Sequence, residues 1–167
     1  MAKYDRKQFN FDEYGTAFFD AHLHRLRVLI SAQCDEIFKA HDIKVPSMSA
    51  SMVLFLENST GEPVGVIADA LDYSHQLINK RIAILERLGC LRRRQDKVDK
   101  RRSIVVLTKR GKAEAKKVRE ALRIIDLGIE DAFTEANMDL QRSVQNMQQY
   151  LLARSLSVRG ETQSKKR

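Results

Sequence analysis

The stretch LINKRIAILERLGCLRRRQDKVDKRRSIVVLTKRG, residues 77–111, carries a helix pattern followed by two short strand patterns. Its apolar residues recur at steps of three and four as far as Leu88, which predicts an amphipathic helix. Ser74 is a good N-cap for this helix, and Gly89 is the residue type that most readily adopts the left-handed conformation just after a helix end. We therefore expect a helix over residues 74–88.

The second half of the stretch predicts a β-hairpin over residues 91–107. Its strands are expected at 91–95 and 103–107, because the second, SIVVL, is short and β-branched. The polar run DKVDK lies at the tip of the hairpin. Thr108 can then cap a further helix, so the order helix, hairpin, helix is expected around this stretch.

The rest of the chain is predicted to be helical. A stripe of apolar residues from Phe19 to Phe38 indicates a long amphipathic helix over about residues 12–41. That length exceeds what a small core needs, so part of the stripe is expected to pack on another chain. We expect a mainly α fold with a small antiparallel β-hairpin, and the remaining helices are predicted at 48–57, 64–71 and 138–152.

The positive charge of the chain is concentrated around the hairpin. The 167 residues have a net charge of +8 and a pI near 9.7. Residues 73–119 hold 16 of the 30 Lys and Arg but only 4 of the 22 Asp and Glu, which makes that segment +12 and the remainder −4. A local basic face of this kind favours an anionic partner, nucleic acid first.

Short helices at 64–71 and 74–88, a tight break between them and a hairpin after them describe a winged helix-turn-helix. Such a helix fits the major groove of duplex DNA, and a hairpin arginine can enter the narrow minor groove beside it. The candidate DNA contacts of the recognition helix are Ser74, His75, Gln76, Asn79, Lys80 and Arg81. The wing offers Arg92, Arg93, Arg94, Arg101 and Arg102, at least two of which are expected to contact DNA, with Lys100 as a further phosphate contact. The alternative for each is a solvated surface charge.

This ordered set resembles the DNA-binding core of MarR-type transcriptional regulators over roughly residues 45–116. In that family a Leu-x-x-x-Gly-like signature ends the recognition helix, followed by an Arg, an Asp-x-Arg at the wing and Leu-Thr-x-x-Gly. Two residues depart from the pattern. Asp72 stands at a turn position that often holds glycine, and Arg81 stands at a position of the recognition helix that is commonly apolar. We expect the Arg81 stem to lie along the core and its head to reach a phosphate. The matching residues are Leu85, Gly89, Arg94, Asp99, Arg101, Leu107, Thr108 and Gly111.

The resemblance also implies what the protein does. Members are typically homodimers that bind pseudopalindromic operators in double-stranded DNA, usually as repressors, and many release DNA when a small organic ligand, an oxidant or a metal acts on them. By similarity, Asp99 would brace the wing and Arg101 would enter the minor groove. The domains implied are 1–44 and 117–154 for dimerisation, 45–116 for DNA binding, and 155–167 as a disordered basic tail.

The sequence offers no catalytic, cofactor or metal motif. His22 and His24 are two residues apart and would point to different faces of a helix, which is poor geometry for a shared metal. Two cysteines do not make a disulfide framework. Cys34 lies on the apolar stripe, where a small buried hydrophobe is the ordinary role and an oxidant-sensing thiol the alternative, and Cys90 occupies a usually apolar position.

The charged N-terminus lacks the apolar core of a secretory signal, and no apolar run approaches the roughly 18 residues of a membrane span. We therefore expect a cytoplasmic DNA-binding regulator that is not an enzyme. The alternative function is a module on the same fold that binds DNA without sequence preference or binds an acidic protein.

Overall fold

The computed structural model describes residues 10–96, 100 and 102–165. Two 3₁₀ segments, Phe11–Phe18 and Ser47–Ser49, precede the first and second helices. Described residues up to Arg123 form one compact unit, and those from Ile124 form a second. The elements are α1 (Phe19–Ala40), α2 (Ala50–Glu57), α3 (Val64–Leu71), α4 (His75–Arg87), β1 (Leu91–Gln95), β2 (Ser103–Leu107), α5 (Lys109–Glu135), α6 (Leu140–Ala153) and α7 (Leu156–Ser164).

The predicted fold class is confirmed, since helices dominate and the hairpin is antiparallel. Its register pairs Leu91 with Leu107 and Gln95 with Ser103. The first helix differs from its predicted bounds, because Gly15 leaves the helical region at φ 57 and ψ −132 and the α-helix begins only at Phe19. Within the described part of the chain, every helix is too short or too polar to cross a bilayer.

The C-terminal segment differs from the expected disorder, because α7 forms there. Two arginines tie this helix to the end of α6. Arg159 Nη2 donates to the Tyr150 carbonyl at 2.6 Å, and Arg154 Nη2 donates to Thr162 Oγ1 at 2.5 Å. A polar, basic composition is typical of disordered segments, so the sequence predicts disorder here. In the structure, the hydrogen bonds of these arginines support the helix instead.

The core of the first unit lies where α2, α3 and α4 meet the hairpin. Bulky apolar side chains from each element are fully buried there, and burial of apolar surface is the dominant favourable contribution to folding. The hairpin gains a further pairing with the turn before α3, because Glu62 and Val105 exchange backbone hydrogen bonds of 3.0 and 2.8 Å. The largest fully buried side chains are Met52, Ile67, Ile78, Ile82, Leu85, Val45, Val53, Val105 and Val118.

Apolar surface stays uncovered on the flanking helices. In the first unit, only Phe38 of α1 is buried, while Phe19, Leu23 and Leu26 of the predicted stripe are exposed. In the second unit, none of the described residues is buried, and α6 exposes Met147 and Leu152 among other large apolar side chains. A helix with an unburied apolar face has no core of its own to stabilise it.

Candidate nucleic-acid interface

The turn between α3 and α4 is formed by Asp72 in the left-handed conformation, at φ 52 and ψ 47. This is the αL position that commonly ends a helix, and aspartate tolerates it better than most residues because its short polar side chain bonds locally. Tyr73 N–H then donates to the Ala68 carbonyl at 3.0 Å, which closes the turn. Asp72 therefore serves where the family pattern often has glycine.

The side chain of Ser74 caps α4, as the sequence predicts. Its Oγ accepts a hydrogen bond from the Leu77 N–H at 3.2 Å. One face of α4 is buried through Ile78, Ile82 and Leu85. The side chains predicted to contact DNA lie on the exposed part of the helix, and they are His75, Gln76, Asn79 and Lys80.

Asn79 is held by two contacts within the chain. Its Nδ2 donates to the His75 carbonyl at 3.0 Å, and its Oδ1 accepts from Arg93 Nη2 at 3.3 Å. Arg93 Nε also lies 3.5 Å from Glu86 Oε1. Arg93 thus links strand β1 to the recognition helix. From the sequence it was predicted only as one of the wing arginines that could contact DNA. The alternation of side chains along a strand could have indicated this role, because it turns Arg93 to the opposite face from its neighbours Arg92 and Arg94.

Arg94 is half-buried and fastens the wing to the turn before α3. Its Nη2 donates to the Thr60 carbonyl at 2.6 Å, and no acceptor among the described residues reaches its buried Nε. Arg92, Lys100 and Arg102 are exposed, as a DNA-contacting wing requires. The predicted roles of Asp99 and Arg101 lie outside the described residues.

Arg81 lies on the buried face of α4, as expected for its stem. The guanidinium, however, lies over the ring of Tyr73, with Cζ 4.3 Å from the ring centroid. The residue is 6% exposed, so its head does not project from the surface of the free chain. Its role as a DNA contact stays a prediction.

The base of the wing is joined to the end of α4 and the start of α5 by Thr108. Its hydroxyl donates to the Gly89 carbonyl at 2.6 Å and accepts from the Gly111 N–H at 3.0 Å. Gly89 has a φ of 69°, as predicted for the residue that ends the helix. Gly111 leaves no room for a side chain, because a Cβ there would lie 2.1 Å from the Cys90 carbonyl oxygen. These contacts set the direction in which the wing leaves the recognition helix.

Neither cysteine has the features of an activated thiol. Burial, with the Asp35 carboxylate adding to it, raises the pKa of the Cys34 thiol. Burial also raises the pKa of Cys90, with Glu114 acting in the same direction and Arg110 against it. A raised pKa lowers the thiolate fraction and with it the reactivity toward oxidants. Among the described residues, no group of three or more metal-ligating side chains lies close together.

The sequence and the fold both match known proteins. Residues 43–102 match the sequence model of the MarR family, whereas no curated protein matches the chain. The chain is similar to S. aureus MepR in a DNA complex, with 16% identity, coverage of 87% of this chain and 99% of MepR, and a TM-score of 0.64. CouR bound to a 23-mer DNA duplex gives 20%, 88%, 99% and 0.63 for the same quantities. PefR from Streptococcus agalactiae with heme gives 14%, 86%, 97% and 0.57.

At these identities the structural likeness concerns the fold, while the family match rests on the helix-turn-helix and wing. MarR-family members are DNA-binding regulators and not enzymes. Residues 43–102 therefore carry the sequence pattern of the MarR family, and the chain as a whole has a fold similar to those of MepR and CouR.

Proposed function

We propose that the protein is a sequence-specific regulator that binds double-stranded DNA with α4 in the major groove and the wing in the minor groove. The observation that carries the proposal is the exposed polar edge of α4, which ends in a capped N-terminus at Ser74 beside a turn that closes tightly. Helix N-termini favour anions, and recognition helices contact base edges through their first turns. MepR and CouR, which share the fold, are described in complexes with DNA.

The operator is proposed to be pseudopalindromic and to be bound by a homodimer. Support comes from the exposed apolar face of α1 and from the second unit, whose described residues include none that is buried. A second copy of the chain offers these helices the apolar surface that they lack. A twofold dimer would present its two recognition helices roughly 34–36 Å apart, one turn of DNA.

We infer that the regulator acts as a repressor and that a small ligand or another signal releases it from DNA. PefR, a relative by fold, is described with heme. The end of α1 carries a cavity of about 220 Å³, open to solvent and lined by residues that include Phe38, Lys39 and Lys44. The raised pKa values of Cys34 and Cys90 argue against an oxidant as that signal.

Selection of bound sequences from a random DNA pool tests sequence specificity directly. We expect an enriched pseudopalindrome that binds at least about 1,000-fold more tightly than unrelated duplex at physiological salt. If each half-site makes about four phosphate contacts, the slope of log affinity against log salt is roughly −7. Equal affinity for the selected and unrelated duplexes would instead support an architectural module without sequence preference.

Arg101→Ala tests the wing. Loss of one charged contact per half-site is expected to weaken operator binding by about tenfold or more per protomer. The dimer, measured by size-exclusion chromatography with light scattering, should stay intact because the wing lies outside the flanking helices. A variant that binds the operator as tightly as the wild type would remove the wing from the mechanism.

A further inference from the structure

Arg81 is a charged residue on the buried face of the recognition helix. It shares that face with Ile78, Ile82 and Leu85, and only 6% of it is exposed. A guanidinium keeps its charge in proteins, so its burial is unfavourable unless each donor finds an acceptor. An apolar residue at this position would fill the core without the desolvation cost of a charge. The presence of an arginine here therefore suggests a role other than packing.

The surroundings of Arg81 satisfy its charge only in part. The Tyr73 ring attracts the guanidinium from its face, with Cζ 4.3 Å from the ring centroid. The ring face, however, has no lone pair that could accept a hydrogen bond as an oxygen atom does. Among the described residues, none offers an acceptor to the buried Nη1.

The location of the contact between Arg81 and Tyr73 suggests which ligand could accept from Arg81 Nη1. Side chains on a helix lean toward its N-terminus, and Arg81 accordingly reaches Tyr73, which directly precedes the N-cap Ser74. The same end of α4 exposes His75 and Gln76, the residues proposed to meet DNA. The positive end of the helix dipole is also there, and DNA phosphates are commonly held at such helix ends. Tyr73, whose ring faces the guanidinium, is itself 36% exposed.

We propose that Arg81 is a latent phosphate ligand, stored beneath Tyr73 in the free protein and transferred to a backbone phosphate when the duplex docks. The inference rests on the proposed DNA binding of α4, and what it adds is that this candidate contact is buried under Tyr73 until DNA binds. Two phosphate oxygens can accept N–H donors of one guanidinium side by side, a pairing that the contact with Tyr73 does not provide. The long flexible stem lets the head move while its methylenes stay against the apolar face.

Arg81→Met is the central test, because methionine keeps an unbranched stem and removes the charge. Each lost phosphate contact makes the salt slope shallower by about 0.9, so a dimer that loses two should show a slope shallower by about 1.8. Affinity at low salt should fall by about tenfold or more per protomer. The matched control is Arg142→Met on the exposed surface of α6, which removes the same charge outside the winged helix and should leave the slope unchanged.

Two measurements on the free protein separate this role from a purely structural one. Replacing the under-bonded cation with methionine should raise the melting temperature by a few degrees. In NMR spectra of the wild type, the ring current of Tyr73 should shift the Arg81 Nε–H resonance, and operator DNA should abolish that shift as the head leaves the ring.

The outcomes distinguish this inference from the proposed function. If the wild type selects no operator, the proposed function and the role of Arg81 fail together. If the wild type binds its operator with a steep salt slope but Arg81→Met keeps that slope, and the Arg81 resonance does not move with DNA, only the latent ligand is refuted. In that case the arginine is a structural residue that braces Tyr73.

Discussion

Replacing Gly111 with alanine should destabilise the fold through a single close contact. Gly111 lies in the first turn of α5, against the chain that links α4 to the wing. The added Cβ would lie 2.1 Å from the Cys90 carbonyl oxygen and 3.0 Å from its carbon, whereas ordinary contacts begin at 3.4 Å. Backbone cannot rotate away as a side chain does, so α5 or the linking chain must shift by roughly 1 Å.

The expected cost follows from three opposing contributions. Alanine favours the helix by about 1 kcal/mol over glycine. Overpacking against backbone costs about 2–3 kcal/mol, the upper part of the usual range. Moving the Cys90 carbonyl also weakens the 3.0 Å hydrogen bond that it accepts from the Thr108 N–H, for about 1 kcal/mol more. The net effect of Gly111→Ala should be a loss of about 2–3 kcal/mol.

Gly128→Ala provides the matched control in the same helix. Gly128 is exposed, and a Cβ there would meet no atom within 4 Å, so only the helix preference of about 1 kcal/mol remains and the variant should be slightly more stable. Urea denaturation followed by circular dichroism measures both variants, and their midpoints should differ by more than about 1 M at an m-value near 2 kcal/mol/M. If Gly111→Ala proved as stable as Gly128→Ala, the close approach of α5 to Cys90 would be wrong.

The thiols and one surface carboxylate offer two further predictions. Because the pKa values of Cys34 and Cys90 are raised, both should react with iodoacetamide more slowly at pH 7 than a free thiol, and the rates should climb only above the ordinary cysteine range. Alkylation at free-thiol rates would contradict this. The pKa of Asp42 is lowered, first by its hydrogen bond from Lys44 and also by Lys117. The pKa of Asp42 is lower in the folded than in the unfolded protein. Its contribution to the free energy of unfolding is therefore complete above the ordinary aspartate range and is lost as the pH falls through the folded pKa. Relative to Asp42→Asn, the wild type should lose a small amount of stability in that acid window in urea titrations, and parallel pH profiles would contradict the pairing.

Local sequence was sufficient for the elements of the winged helix. The capping contacts of Ser74, Gly89 and Thr108 involve their own backbone or residues up to three positions away, and the structure has each of them in its predicted capping position. The short, β-branched run SIVVL likewise identified β2 at its observed bounds. Capping, periodicity and strand propensity are properties of short segments, so they can be read without knowing what the segment packs against.

The candidate DNA contacts His75, Gln76 and Lys80 are exposed on α4, but the sequence did not show which other side chains are bound within the chain. Asn79 is bound to Arg93, 14 residues away, and Arg94 donates to Thr60, 34 residues away. The sequence lists these arginines as equivalent wing charges, because nothing local distinguishes a free guanidinium from one that fastens two elements together.

Arg81 shows most clearly what could be predicted from the sequence and what depended on tertiary packing. The sequence predicted that the stem of Arg81 lies along the core, because the family that the stretch resembles commonly has an apolar residue at this position of the recognition helix. Only the tertiary structure decided that its head lies under Tyr73 with a donor unsatisfied, because the turn at Asp72 brings that ring over the helix end. Faces follow from the 3.6-residue repeat, whereas partners follow from how distant segments pack.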